Sequence, residues 1–330
     1  MQQKPSIHKE WTPKHDTHPR RTELSKSTSL FSEALALHKV GRLAEAEQIY
    51  KKILATEPTH VGCLQLLGVI SDQRGDHATA ARQIESALRM DPDNVFALIS
   101  RGNALHALKR FDEALASCDR AITLRPDYAE AHYNRGNALH QMRRFEEAVA
   151  SYDRAVALRL DYAEAHSNRG NSLHALKRFR EALASYDRAL AVRPGDAGAL
   201  SNRGATLREL GRFEEAVASC DRALALRPDN AEALLNRGVA LSELKRFDDA
   251  LASYDRALAA RPDDTEALSN RGAALHELGR FEEAVASYDR ALALQPDYSE
   301  ARSNRCSALN ALKRFKEGFA MALIGTGDIR

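Results

Sequence analysis

A chain of 330 residues with 48 basic and 46 acidic side chains has a formal net charge of only +2, too balanced for the clustered basic face of a nucleic-acid binder. Hydrophobic residues make up 44% of it, yet no apolar run is long enough for a signal peptide or a membrane span, so a soluble cytoplasmic protein is expected. Length alone would suit two globular domains, but the pattern that follows predicts one elongated array.

Residues 1–26 lie outside that pattern. They are polar, with Pro5, Pro13, Pro19, scattered basic residues and a lone Trp11, and they read as a flexible tail. His8, His15, Asp16 and His18 fall there, where a disordered chain gives a metal no fixed geometry, so no metal is expected. From residue 27 a 34-residue period sets in, with units beginning near 27, 61, 95, 129, 163, 197, 231, 265 and 299. Proline marks it at Pro58, Pro92, Pro126, Pro194, Pro228, Pro262 and Pro296, with Leu160 in its place once. A period of this length signals stacked repeats.

Each unit predicts two helices. In the unit from Ala231 to Asp264, Leu234, Gly238, Leu241 and Leu244 follow one helical face, and Phe247, Ala250, Leu251, Tyr254, Ala257 and Leu258 follow another. Helices this short are marginal alone, so neighbouring pairs must stack to bury both stripes. Asp229 with Glu232 reads as a capping box before the first helix; Asp127/Glu130, Asp161/Glu164, Asp263/Glu266 and Asp297/Glu300 repeat it. Gly41, Gly75, Gly211 and Gly279 stand where a left-handed residue ends the first helix, and Lys109, Arg143, Lys177, Lys245 and Lys313 take that place in other units.

The first two units are degenerate, with Leu43 and His77 in the phenylalanine place and Ile84 in the tyrosine place. Leu160, and Gly195 to Gly198 where the usual cap is broken, mark expected changes of pitch. The last unit starts with Asn304, Leu309, Leu312 and Phe315 and then decays through Gly318, the run Phe319 to Ile324, Gly325 and Gly327. Without a polar capping helix, this end is expected to self-associate.

Gly238, Leu241, Ala250, Tyr254, Ala257 and Pro262 together resemble the signature of the tetratricopeptide repeat, and the other units match in register. The resemblance covers about nine units. It implies an all-α fold, a right-handed superhelical solenoid of stacked antiparallel helix pairs, with the first helix of each pair lining a concave groove.

Catalysis finds no support. Cys63, Cys118, Cys220 and Cys306 fall in four different units and read as small buried filler. His106, His140, His174 and His276 share one register and His132 and His166 another, but residues on successive stacked helices, about 8–10 Å apart, cannot share one zinc ion. They would give the groove weak polarity and some pH sensitivity. Ser151 and Ser253 recur inside second helices without a paired histidine and acid, and no phosphate-binding glycine loop occurs. No cofactor is expected.

The functional signal is a row of asparagines on the first helices: Asn134, Asn168, Asn202, Asn236, Asn270 and Asn304. An amide both donates and accepts, so such a row could clamp an extended peptide by its backbone without reading its sequence. The row resembles that of the O-linked N-acetylglucosamine transferase repeats, where equivalent asparagines do this; lineage alone is the competing account. Arg101, Arg135, Arg169, Arg203, Arg237, Arg271 and Arg305 follow in step and read as a surface ion ladder with nearby acids. The co-chaperone groove that grips a carboxylate tail needs cations where this chain has Tyr133, Ser167, Glu164 or Glu232, so that role is not expected. The chain therefore reads as a non-catalytic scaffold binding a protein or peptide partner, with neither nucleic acid nor membrane. The alternative is an accessory or truncated relative of a repeat-bearing protein glycosyltransferase.

Overall fold

The computed structural model describes residues 21–325, with side chains from Ser27 onward except Phe315 and those beyond Lys316. The tail histidines and the run Phe319 to Ile324 thus lie outside the described side chains. All secondary structure among the described residues is helical, and it falls into two compact bodies, divided between Leu158 and Arg159. The division precedes Leu160, which replaces the recurrent proline and is 81% exposed.

The N-terminal body holds four helix pairs. They are α1 (Arg21–Lys39) with α2 (Leu43–Thr56), α3 (Val61–Gln73) with α4 (His77–Met90), α5 (Val95–Ala107) with α6 (Phe111–Leu124), and α7 (Ala129–Gln141) with α8 (Phe145–Leu158). The C-terminal body holds four more pairs. These are α9 (Ala163–Ala175) with α10 (Phe179–Val192), α11 (Ala197–Glu209) with α12 (Phe213–Leu226), α13 (Ala231–Glu243) with α14 (Phe247–Ala260), and α15 (Thr265–Glu277) with α16 (Phe281–Leu294). A single longer helix, α17 (Ser299–Gly325), packs on α16 and α15. In each body every helix packs against the next, as the repeat pattern requires.

The packing follows from residue size. Leu200, Leu234, Leu268 and Leu275 are buried between helices of the C-terminal body. Tyr152, Tyr186, Tyr254 and Tyr288 come up from even helices and lie against glycines of the odd ones. A Cβ on Gly238 would sit 2.5 Å from Tyr254 Cε1, so only glycine lets the ring in. The degenerate first two units still form a core, from Phe31, Tyr50, Ile53, Leu67 and Ile70.

The inter-helix turns hold a left-handed residue at the expected places: Gly41, Gly75, Gly211 and Gly279, and also Lys109, Arg143, Lys177 and Lys245 with φ of 59–60°. Lys313 is the exception. It lies within α17, which runs on through the place where a turn was expected.

The capping boxes are corrected. The N-cap of α13 is Asn230, whose Oδ1 accepts from Ala233 N–H at 3.2 Å, and that of α15 is Asp264, accepting from Ala267 N–H at 3.0 Å. Asp229 and Asp263 sit one residue early, inside turns closed by Asn230 N–H to Arg227 C=O and Asp264 N–H to Arg261 C=O. At α7 and α9 the cap positions are Tyr128 and Tyr162, which give no side-chain cap. The stretch from Gly195 to Gly198 breaks nothing: Asp196 caps α11 through Gly198 and Ala199 N–H, each at 3.0 Å.

Candidate functional site: an asparagine-lined helix face

Within each body the odd helices from α3 onward touch one another as well as their even partners, while among the described residues no comparable contact joins successive even helices. The odd helices therefore form the closer-set face: α3, α5 and α7 in one body, and α9, α11, α13, α15 and α17 in the other. The asparagines lie on these helices, Asn134 in the first body and Asn168, Asn202, Asn236, Asn270 and Asn304 in the second.

They are not equivalent. Asn236 is only 6% exposed, and its amide has no hydrogen-bond partner among the described residues. Asn134 is 9% exposed with its Nδ2 buried and unpartnered. A buried amide left unmatched costs about 1–3 kcal/mol, so the Asn134 Nδ2 carries that penalty. Asn270 and Asn304 are part-buried. Asn202 is engaged inside the fold: its Nδ2 donates to Asn171 Oδ1 at 2.8 Å. That removes one donor from the expected clamp.

Asn171 belongs to a second amide row, Asn103, Asn137 and Asn171, three residues after Ser100, Asn134 and Asn168. Tyr186 O–H donates to Asn171 Oδ1 and Tyr152 O–H to Asn137 Oδ1, each at 2.8 Å. Each tyrosine thus crosses beneath its glycine and delivers a hydroxyl to the odd-helix face. Where cysteine replaces tyrosine, at Cys118 and Cys220, no hydroxyl arrives. Burial pushes the hydroxyls of Tyr186 and Tyr254 up, and that of Tyr288 to about 12, so they act as neutral donors.

The arginine row does more than decorate a surface. Arg237 on α13 reaches Ser253 Oγ on α14 and Asp221 on α12, both at 2.6 Å. Arg271 repeats this with Ser287 and Asp255 at 2.6 Å, and in the first body Arg135 does so with Ser151 and Asp119 at 2.7 Å. The recurrent serines are thus knots in a three-helix tie. Ser151 and Ser253 also donate to the backbone carbonyl four residues earlier, Glu147 and Asp249, each at 2.9 Å. Their 34-residue spacing, in step with the arginines, is the sequence signal for this tie.

The histidines are structural. His106, His140, His174 and His276 stack edge-on against Phe111, Phe145, Phe179 and Phe281 at 5.2–5.4 Å. Burial pulls the first three below the ordinary imidazole value. His132 Nε2–H donates to Pro126 C=O at 2.9 Å and His166 to Leu160 C=O at 3.1 Å, bracing loops. Among the described residues no three His, Cys, Asp or Glu side chains gather in a way that could hold a metal. All four cysteines are free. Burial raises the thiols of Cys63, Cys118 and Cys220 to about 12, whereas Cys306 is exposed, which corrects its reading as filler. No helix of the described residues is long and apolar enough to cross a membrane.

Glycine-cradled helix pairs stacked with a fixed period define an all-α repeat solenoid. Tetratricopeptide repeat models match residues 167–231, 201–265, 235–299 and 129–162, and a TPR repeat model matches 102–143; the chain belongs to the tetratricopeptide repeat family. Among solved structures it is similar to a chain of the APC/C hetero-tetramer Cut9-Hcn1, at 17% identity and a TM-score of 0.63, over 88% of this chain and 60% of that one. It is also similar to a tetratricopeptide repeat protein from Parabacteroides merdae ATCC 43184, at 16% identity and a TM-score of 0.55, covering 76% of this chain and 98% of that one. YrrB, described as a TPR protein with an unusual peptide-binding site, aligns at 25% identity and a TM-score of 0.49, over 56% of this chain and 96% of that one. No curated protein sequence matches the chain.

Proposed function

We propose that the chain is a non-catalytic scaffold that binds extended polypeptide along the odd-helix face of its C-terminal body. The observation that carries this is Asn236, a nearly buried amide with donor and acceptor both unspent, in step with Asn270 and Asn304 on the next two odd helices. An extended backbone offers alternating N–H and C=O groups, and an amide can take one of each. Membership in a family of interaction repeats supports the same reading. Free buried thiols suit a reducing cytoplasm.

The test is an immobilised library of extended twelve-residue peptides, probed with the full chain and with Asn236→Ala/Asn270→Ala/Asn304→Ala. Net backbone hydrogen bonds are worth about 0.5–1.5 kcal/mol each, so the triple variant should bind about tenfold or more weakly with unchanged helicity. Unaltered affinity would discard the asparagine row. The same reading gives α17 a role in self-association, since Cys306 and Leu309 stand exposed on it; light scattering over a concentration series reads this directly.

A further inference from the structure

We infer that the partner segment is basic: the three odd helices α13, α15 and α17 form an acid-edged track for an extended chain with lysine or arginine at about every third residue. The inference rests on the polypeptide-binding reading above and adds the sign of charge and its spacing.

Each of these helices shows a stripe at helical spacing. On α13 it is Glu232, Asn236, Val239 and Glu243; on α15 it is Glu266, Asn270, Ala273 and Glu277. On α17 it begins Glu300, Asn304, Ser307. The amides run down the middle, small side chains leave room beside them, and carboxylates stand on the margins. All five glutamates are exposed.

Their counterparts on α9 and α11 are paired. Glu164, at the equivalent place on α9, is paired with Arg193 at 2.5 Å, and Glu209 on α11 is paired with Arg208 at 2.8 Å. The residue equivalent to Arg193 is Gln295 in the unit of Glu266, and in the unit of Glu232 it is Arg261, which makes no ion pair with it. Glu232, Glu243, Glu266 and Glu300 have no ion pair among the described residues, and Glu277 meets only His276 Nδ1 at 3.8 Å. No lysine or arginine lies on the three stripes. Arg237, Arg271 and Arg305 are turned away to Asp221, Asp255 and Asp289, and Arg302 is turned back to the Pro296 carbonyl.

Glu266 and Glu243 both act on the Tyr254 hydroxyl, where Arg208 of α11 opposes them, and Glu300 and Glu277 act on that of Tyr288. A track of unpaired carboxylates repels phosphate and acidic peptides and draws in cations. The unpartnered Asn236 amide, nearly buried between Glu232 and Glu243, then meets the peptide backbone while the margins meet its side chains. Packed helices lie about 8–10 Å apart and an extended chain advances about 3.3 Å per residue, so successive helices meet about every third residue.

The experiment measures anisotropy of fluorescein-labelled (Lys-Thr-Thr)4, (Ser-Thr-Thr)4 and (Glu-Thr-Thr)4 with the full chain. The lysine peptide should bind at least tenfold tighter than the serine peptide, and the advantage should shrink at least fivefold between 50 and 500 mM salt, as screening demands. In the variant E232Q/E243Q/E266Q/E277Q/E300Q the advantage should vanish while the serine peptide binds as before; circular dichroism confirms that this surface variant is folded. In N236A/N270A/N304A both peptides should weaken together. Equal binding of lysine and serine peptides, still lost in the asparagine variant, would overturn the charge inference and leave polypeptide binding standing. Lysine binding that survives the glutamine variant would also overturn it. Binding of no peptide, or binding indifferent to the asparagines, would overturn both readings.

Discussion

Glycine against tyrosine is where the smallest change has the largest leverage. Gly238 to alanine would place a methyl 2.5 Å from a ring that is 1% exposed and held by Ser242 Oγ at 3.2 Å from its hydroxyl. Alanine restores about 1 kcal/mol of helix propensity, but overpacking costs about 1–3 kcal/mol. We expect a net loss of about 1–2 kcal/mol in urea melts of Gly238→Ala. Cysteine in the tyrosine place does not by itself open the site: Gly102 leaves 3.2 Å to Cys118 Sγ, but Gly204 leaves only 2.5 Å to Cys220 Sγ. An unperturbed single variant would mean that the ring moves freely. These size relations were legible in the sequence, because glycine and tyrosine recur in fixed register. The hydrogen-bond destination of the tyrosine hydroxyl was not, since it depends on which side of the odd helix the ring emerges.

Turns and caps divide between the legible and the hidden. The left-handed turn residues were read correctly wherever a turn forms, because glycine in several units betrays the conformation that lysine adopts in others. A non-glycine residue in that region costs about 1–2 kcal/mol, partly offset by the larger unfolded-state entropy of glycine. Lys177→Gly should therefore raise stability by about 0.5–1 kcal/mol, and Gly211→Lys should lower it by as much, both read as shifts in denaturation midpoint. A Lys177→Gly variant no more stable than its parent would refute the strain. The caps were misplaced by one residue because Pro-Asp resembles a cap in isolation, while the turn after proline consumes that aspartate. At Lys313 the local sequence promises a turn like Lys245, yet the helix continues; local residues alone do not decide it.

Across the molecule the repeated histidines sum into a pH response. Burial depresses His106, His140 and His174 below the unfolded value of about 6.5, with Glu209 and Glu232 opposing and Arg208 adding to the shift at His174. A folded value below the unfolded one means that the unfolded chain binds the proton first. Stability is thus full above about pH 6.5 and falls as pH drops from there through each depressed folded value. Melting temperature should decline between pH 7.5 and 5.0, and H106Q/H140Q/H174Q should decline less; parallel curves would refute the assignment. The surface carboxylates paired with arginine, such as Glu147 with Arg144, are held below the ordinary range and do not mask this window. At this scale the helix-pair architecture and the asparagine row were visible as period and register. Which amides are already spent, as Asn202 is on Asn171, depends on contacts between units that no single unit contains.

The arginine tie has a consequence for how the chain finds its shape. Arg237 takes Asp221 and Ser253, and Arg271 takes Asp255 and Ser287, with the same atoms at the same distances. A helix emerging early in folding would be satisfied equally by the acid of a wrong neighbour, so the tie rewards docking without recording which neighbour is correct. The record must lie in the irregular positions, such as Cys220 amid tyrosines, Asp196 as a cap, and the lone Arg208–Glu209 pair. Those departures act as addresses. A chain with Cys118→Tyr and Cys220→Tyr should refold with a larger slow phase of misdocked molecules, while its native stacking stays the same.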